Sequence, residues 1–151
     1  MRGGVPRWVN DYTHIPFTEQ GRGHGGCDCW GLVRLVLFEQ AGVEVPSYTE
    51  CYQASTDGGV LSPLIEKERA DWPCVEAGDE RCFDVALMKS YYGLGQKAVA
   101  GDYHVGIVVA PGIVLQCEVG KGTTLGRYLR DIRLSNRLRG FYRPAELAGA
   151  A

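Results

Sequence analysis

One stretch of this chain has both of its ends marked, and everything else has to be arranged around it. From Asp28 the residues run Asp-Cys-Trp-Gly-Leu-Val-Arg-Leu-Val-Leu-Phe-Glu-Gln-Ala and stop at Gly42. Cys29, Val33, Val36, Leu37 and Gln40 recur at helical spacing, and Leu32 with Leu35 widens the apolar stripe. Asp28 is suited to accept from the free N–H groups at a helix start, and Gly42 to adopt the left-handed conformation that closes a helix. The spacing predicts a largely buried helix with Cys29 in its first turn.

The rest of the chain is read around that helix. After a turn at Asp57-Gly58-Gly59, Ser62-Pro63 opens a second predicted helix over Pro63–Ala70, because proline suits the first helical position. Four strands are predicted, at Phe83–Met88, Tyr103–Val109, Ile113–Val119 and Arg139–Arg143. The short Ala110-Pro111-Gly112 link makes the second and third a hairpin. Helices followed by a run of strands give an α+β class with an antiparallel sheet. With 151 residues and no repeat or linker, the expectation is a single domain over 1–151, with 43–81 as an insertion-like segment between helix and sheet.

Charge narrows the function. The formal net charge is −2, so there is no overall positive field to hold nucleic acid. No apolar run reaches the length of a membrane span, and the opening residues lack the apolar core of a secretion signal. The expectation is a chain made in a reducing bacterial cytoplasm, its six cysteines free by default.

A thiol attacks only as thiolate, and a helix N-terminus favours that charge. Cys29 is therefore the candidate nucleophile, with Asp28 as cap and the Cys29 backbone N–H as an oxyanion donor. Gly25-Gly26 leaves room for a substrate backbone. Position alone leaves a second reading open, a buried cysteine acting as a small hydrophobe. A Cys27–Cys29 disulfide is a further alternative, and Cys27, Cys29 and His24 supply too few ligands for a zinc site, so no metal and no cofactor is expected. Of the three histidines, only His104 sits on a predicted strand, where it is either a base or a structural residue. Counting from a hairpin centre at residue 110, His104 and Gln116 are directly opposite and share a face. Gln116 would then fix the imidazole tautomer, or be a polar strand residue with no catalytic part.

These residues also carry a resemblance. Asp28-Cys29-Trp30-Gly31-Leu32-Val33 resembles the nucleophile signature Asp-Cys-Ser-Gly-Leu-Val of the NlpC-type cell-wall peptidases, a papain-like superfamily. His104-Val105-Gly106-Ile107 resembles that family's second motif, and Gln116 stands twelve positions on, where the third polar residue falls. Trp30 in place of serine, Val45-Pro46-Ser47-Tyr48 and Gly140-Phe141-Tyr142-Arg143-Pro144 are similar to the branch carried by tailed-phage and gene-transfer-agent tails.

The resemblance implies a papain-like fold, the nucleophile helix packed on an antiparallel sheet, with Cys29, His104 and Gln116 catalytic. It implies a substrate cleft at Phe17, Gly26 and Trp30, and peptidoglycan stem peptides as substrate, commonly cut at the γ-D-glutamyl–diaminopimelate bond. It also implies other tail or baseplate proteins as partners and a place at a virion or gene-transfer-agent tail tip. Two departures stand out: Phe17 occupies the position of an oxyanion-site tyrosine, and Gln116 that of a more usual histidine. They leave an alternative, a structural or assembly tail protein that uses the fold as an interaction module.

Overall fold

A computed structural model describes residues 4–46, 72–89 and 103–149. The predicted Pro63–Ala70 helix, and most of the 43–81 segment, lie outside the described residues.

The predicted first helix forms as α1, Cys29–Ala41. Asp28 caps it, its carboxylate accepting from the Gly31 N–H at 2.8 Å. Gly42 closes it at φ 68°, and the N–H of Val43 bonds back to the Leu37 carbonyl at 2.9 Å. Residues 29–33 are buried all round, so the first turn is internal to the fold, while Phe38–Gln40 reach solvent.

The strands are β1 (Arg22–Gly23), β2 (Gly26–Cys27), β3 (Cys74–Val75), β4 (Val85–Lys89), β5 (Tyr103–Ala110), β6 (Ile113–Glu118), β7 (Gly122–Arg127) and β8 (Leu138–Tyr142). The first two form a small ribbon ahead of α1. The other six make one antiparallel sheet in the order β3-β8-β4-β5-β6-β7. Two short helices follow, α2 (Ile132–Arg137) and α3 (Ala145–Ala148).

Strand alternation gives the sheet two faces. Val105, Ile107, Leu115 and Cys117 pack with α1 and the N-terminal segment. Ala86, Met88, Val108, Val114 and Phe141 pack with Leu134 of α2 on the other side. The predicted β4 starts two residues late because Phe83 has φ 78° and Asp84 is turned into a buried ion pair. Its carboxylate takes both Arg143 Nε and Nη2 at 2.8 Å, tying the start of β4 to the end of β8.

The β5–β6 hairpin forms as predicted, but its register does not. Ile107 faces Leu115 and Val108 faces Val114, with a bulge before Ala110. The chain reverses between Pro111 and Gly112 rather than at residue 110, and the bulge at Val109 takes back one position, so Glu118 rather than Gln116 continues the ladder opposite His104. Gln116 becomes the diagonal neighbour on the same face.

Asp28 carries the largest load at the helix start. It is fully buried, accepts from the Gln20 N–H at 3.1 Å as well as from Gly31, and pairs with Arg22 at 2.8 Å. Asp28→Ala is expected to cost about 3–4 kcal/mol in urea unfolding, since it removes a fully buried carboxylate that pairs with Arg22 as well as capping the helix. The equivalent exposed cap of α2, Asp131, gives about 1 kcal/mol when changed to alanine. Equal losses from the two variants would show that the buried pairing adds nothing.

Candidate active site

The N-terminus of α1 is pressed into the fold by three strands of interaction. Asp28 fixes its first free N–H groups. The segment ahead of it pairs with residues 16–18: Cys27 N–H donates to the Pro16 carbonyl at 3.1 Å, and Thr18 N–H to the Cys27 carbonyl at 3.0 Å. The Cys117 thiol of β6 also donates to the Cys27 carbonyl, at 3.2 Å. Cys29 is thereby set against the sheet at β5, with the Val105 backbone N–H directed at its sulfur.

The Cys29 thiol is 2% exposed. Burial, with the Asp28 carboxylate adding to it, pushes its pKa up to about 12, while the Val105 and Trp30 N–H groups oppose the rise. The sequence led us to expect the opposite direction from the helix terminus. Two backbone donors do not offset the loss of water around a thiolate, particularly beside the carboxylate that caps the same helix.

His104 and Gln116 are brought together. His104 Nε2 lies 3.1 Å from Gln116 Oε1, both side chains buried. With that oxygen accepting, the proton sits on Nε2 and Nδ1 carries the lone pair. Burial pushes the imidazole pKa down to about 4; Glu118 and the Gln116 bond act against the fall, and Arg137 acts with it. Arg137 and Glu118 are themselves paired at 3.3 Å.

The imidazole shares a face with Met88, its cross-strand partner, and that face is the α2 side of the sheet. The thiol lies on the α1 side. The two groups therefore flank the first turn of β5, with the His104–Val105 peptide between them. Among the described residues no hydrogen bond joins thiol to imidazole, and both groups are neutral at pH 7.

The expected cleft residues separate. Phe17 lines a cavity of about 320 Å³ together with His14, Ile15, Pro16 and Gly120–Gly122. Trp30 is instead part of the core, its indole N–H donating to the Pro46 carbonyl at 2.8 Å. Gly26 faces the Thr18 side chain, which a Cβ at that position would strike. Neither residue borders that cavity. No group of three or more potential metal ligands occurs among the described residues.

One neighbour of the site, Cys117, was not singled out by the sequence. Cys117 joins Cys27 and Cys29 to form a buried thiol group; contact with the Cys27 side chain, then burial, hold its pKa above the usual thiol range. The strand alternation of residues 113–118 would have turned Cys117 toward α1, but only the packing shows which thiols it meets.

No protein-family model matches the chain, and no curated protein does. Among solved structures it is similar to a "similar to lipoprotein, NLP/P60 family" protein of Staphylococcus aureus subsp. aureus Mu50. The identity is 19% and the TM-score 0.56; the match covers 88% of this chain and 37% of that one. The chain thus spans little more than a third of that protein, and what the two share is a mixed α/β fold with an antiparallel sheet.

The depressed imidazole gives a pH signature. The unfolded chain binds a proton at His104 below about pH 6.5, the folded chain only near pH 4, so stability is complete above 6.5 and falls as pH drops between those values. The loss from this group is expected to be about 2–3 kcal/mol in urea unfolding at pH 4 against pH 7. His104→Asn should remove that portion of the dependence. An unchanged slope in the variant would show that the imidazole is not held neutral.

Proposed function

We propose that this chain is a cysteine peptidase or amidase in which Cys29 attacks, His104 moves the proton and Gln116 holds the imidazole. The substrate class is the peptide stem of bacterial peptidoglycan, with the γ-D-glutamyl–diaminopimelate link as the bond cut. The observation that carries this reading is the placement of Cys29 at the first residue of a capped helix, its sulfur against the His104–Val105 peptide, with His104 already bonded to Gln116. The NLP/P60 likeness supports it at the level of fold.

The mechanism starts from neutral groups. Attack of sulfur on the amide carbon is coupled to loss of its proton to Nδ1 of His104, because a free thiolate is disfavoured in the closed site. At rest the imidazole stands on the α2 side of β5 and the thiol on the α1 side, so the transfer requires the backbone at the start of β5 to turn His104 toward the sulfur as substrate enters, with Gln116 following through its hydrogen bond. The imidazolium then protonates the leaving amine, and a thioester at Cys29 remains. Water, deprotonated by the same nitrogen, hydrolyses the thioester. The tetrahedral oxyanion falls to the Cys29 backbone N–H, because Asp28 already occupies the Gly31 N–H and Phe17 offers no donor.

The Trp30 form of the nucleophile motif supports delivery by a phage-like or gene-transfer-agent tail, with tail or baseplate proteins as neighbours and the tail tip as location. One observation favours a second reading, a tail assembly protein that keeps the fold as an interaction module: the thiol is closed off and its pKa raised.

Digestion of purified peptidoglycan separates the two. Wild-type protein is expected to release fragments with a new diaminopimelate amino terminus, and Cys29→Ala to lower the rate by at least about 10³-fold. Equal release by both proteins would end the peptidase reading, and release of fragments with other termini would move the bond.

A further inference from the structure

The sheet has one edge that is only half covered. β7 is the terminal strand, and Thr123 turns its N–H outward to the Ile15 carbonyl at 3.0 Å, while its hydroxyl accepts from the Ile15 N–H. In an antiparallel ladder the outward residues recur every second position, so Leu125 and Arg127 face the same way as Thr123. The Ile15 segment does not extend that far. Among the described residues no backbone group bonds the Leu125 N–H, the Leu125 carbonyl or the Arg127 N–H. The Arg127 carbonyl is used, accepting from Arg130 and Asp131 as the chain turns into α2.

That open stretch runs along a surface groove of about 630 Å³, formed by Leu125–Arg127 on one side and the Arg130–Arg133 turn on the other. Its composition is unlike the rest of the surface. Leu125 and Ile132, two of the five exposed large hydrophobic residues among the described residues, line the groove at 39% and 69% exposure, and Leu129, at 78%, lies in the turn that joins its two sides. Arg127, Arg130 and Arg133 are exposed beside them, and none pairs with an acid among the described residues. The single carboxylate in the groove, Asp131, is committed to capping α2 through the Arg133 and Leu134 N–H groups.

We infer that this groove docks an extended, acidic segment of a partner protein, which adds to the sheet as a strand beside β7. The backbone of Leu125 and Arg127 supplies the pairing, the three arginines select carboxylates, and the exposed Leu125 and Ile132 receive the apolar residues between them. A bare edge of this kind invites uncontrolled pairing, and a sheet edge left open beside apolar groups fits a surface that is covered in use. A second copy of this chain is the poorer occupant, since edge-to-edge pairing would set the arginines of one copy against those of the other. None of the residues that line the groove is Cys29, His104 or Gln116, so the inference stands whether or not the chain is a peptidase.

The test uses a synthetic peptide of about ten residues alternating glutamate or aspartate with valine, a second with lysine in place of every acid, and a third with alternate backbone nitrogens methylated. Binding is followed by fluorescence anisotropy, and amide exchange at Leu125 and Arg127 by NMR. The acidic peptide is expected to bind at least about tenfold more tightly than the lysine peptide and to slow exchange at both amides, and the methylated form to lose both effects. Arg130→Glu combined with Arg133→Glu, on exposed positions, should reverse the preference between the first two peptides. No binding of the acidic peptide, equal affinity for both charges, or binding without protection at Leu125 would each overturn the inference. So would sedimentation showing a dimer whose formation protects the same two amides.

Discussion

The Asp28 carboxylate is fully buried, and it gathers donors from two parts of the chain: Gln20 and Arg22 from the segment ahead of β2, and Gly31 from the helix itself. A buried charge so engaged fixes position more strictly than apolar contact does, because each donor has its own direction. The N-terminus of α1 is held against the sheet by this set, and Cys29 with it. The remaining contacts at Cys27, with Pro16, Thr18 and Cys117, align the approach of the chain to the same point.

That arrangement also explains the resting chemistry. A helix terminus favours a thiolate, but here the terminus is internal, and its capping carboxylate sits next to the sulfur. Desolvation then dominates, for the thiol and for the imidazole across β5 alike, and each is held in its neutral form. A site of this kind stores a nucleophile without exposing it. Proton transfer belongs to the step in which sulfur attacks the bound substrate, so no thiolate–imidazolium pair precedes that attack. The Gln116 bond matters for the same reason, since it decides which imidazole nitrogen is free to take the proton.

How much of this could be read beforehand depended on how local each signal was. The ends of α1 were legible because capping is decided within a few residues, at Asp28 and Gly42. The β5–β6 hairpin was legible from its apolar strands and the Pro111-Gly112 turn, where Gly112 adopts φ 86°. The register was not, because the chain reverses between Pro111 and Gly112 rather than at residue 110, and nothing in the alike Val108, Val109 and Ala110 marks the bulge that follows. β7 escaped notice since Gly-Thr-Thr-Leu-Gly-Arg has weak strand propensity and owes its form to β6. The burial of Cys29 and of Trp30 was out of reach for a similar reason: cover is supplied by segments far along the chain, and a motif names the residue without its surroundings.

The central claim is that the buried Cys29 becomes a nucleophile through His104 when a peptide occupies the site. It is tested most directly by exposing the native protein to a γ-D-glutamyl peptide bearing a vinyl sulfone at the scissile carbonyl, and mapping the adduct by mass spectrometry. The account predicts one adduct, on Cys29, formed only by folded protein and much more slowly by His104→Ala. Modification of the exposed Cys74 instead, or an unchanged rate at Cys29 without the imidazole, would contradict it.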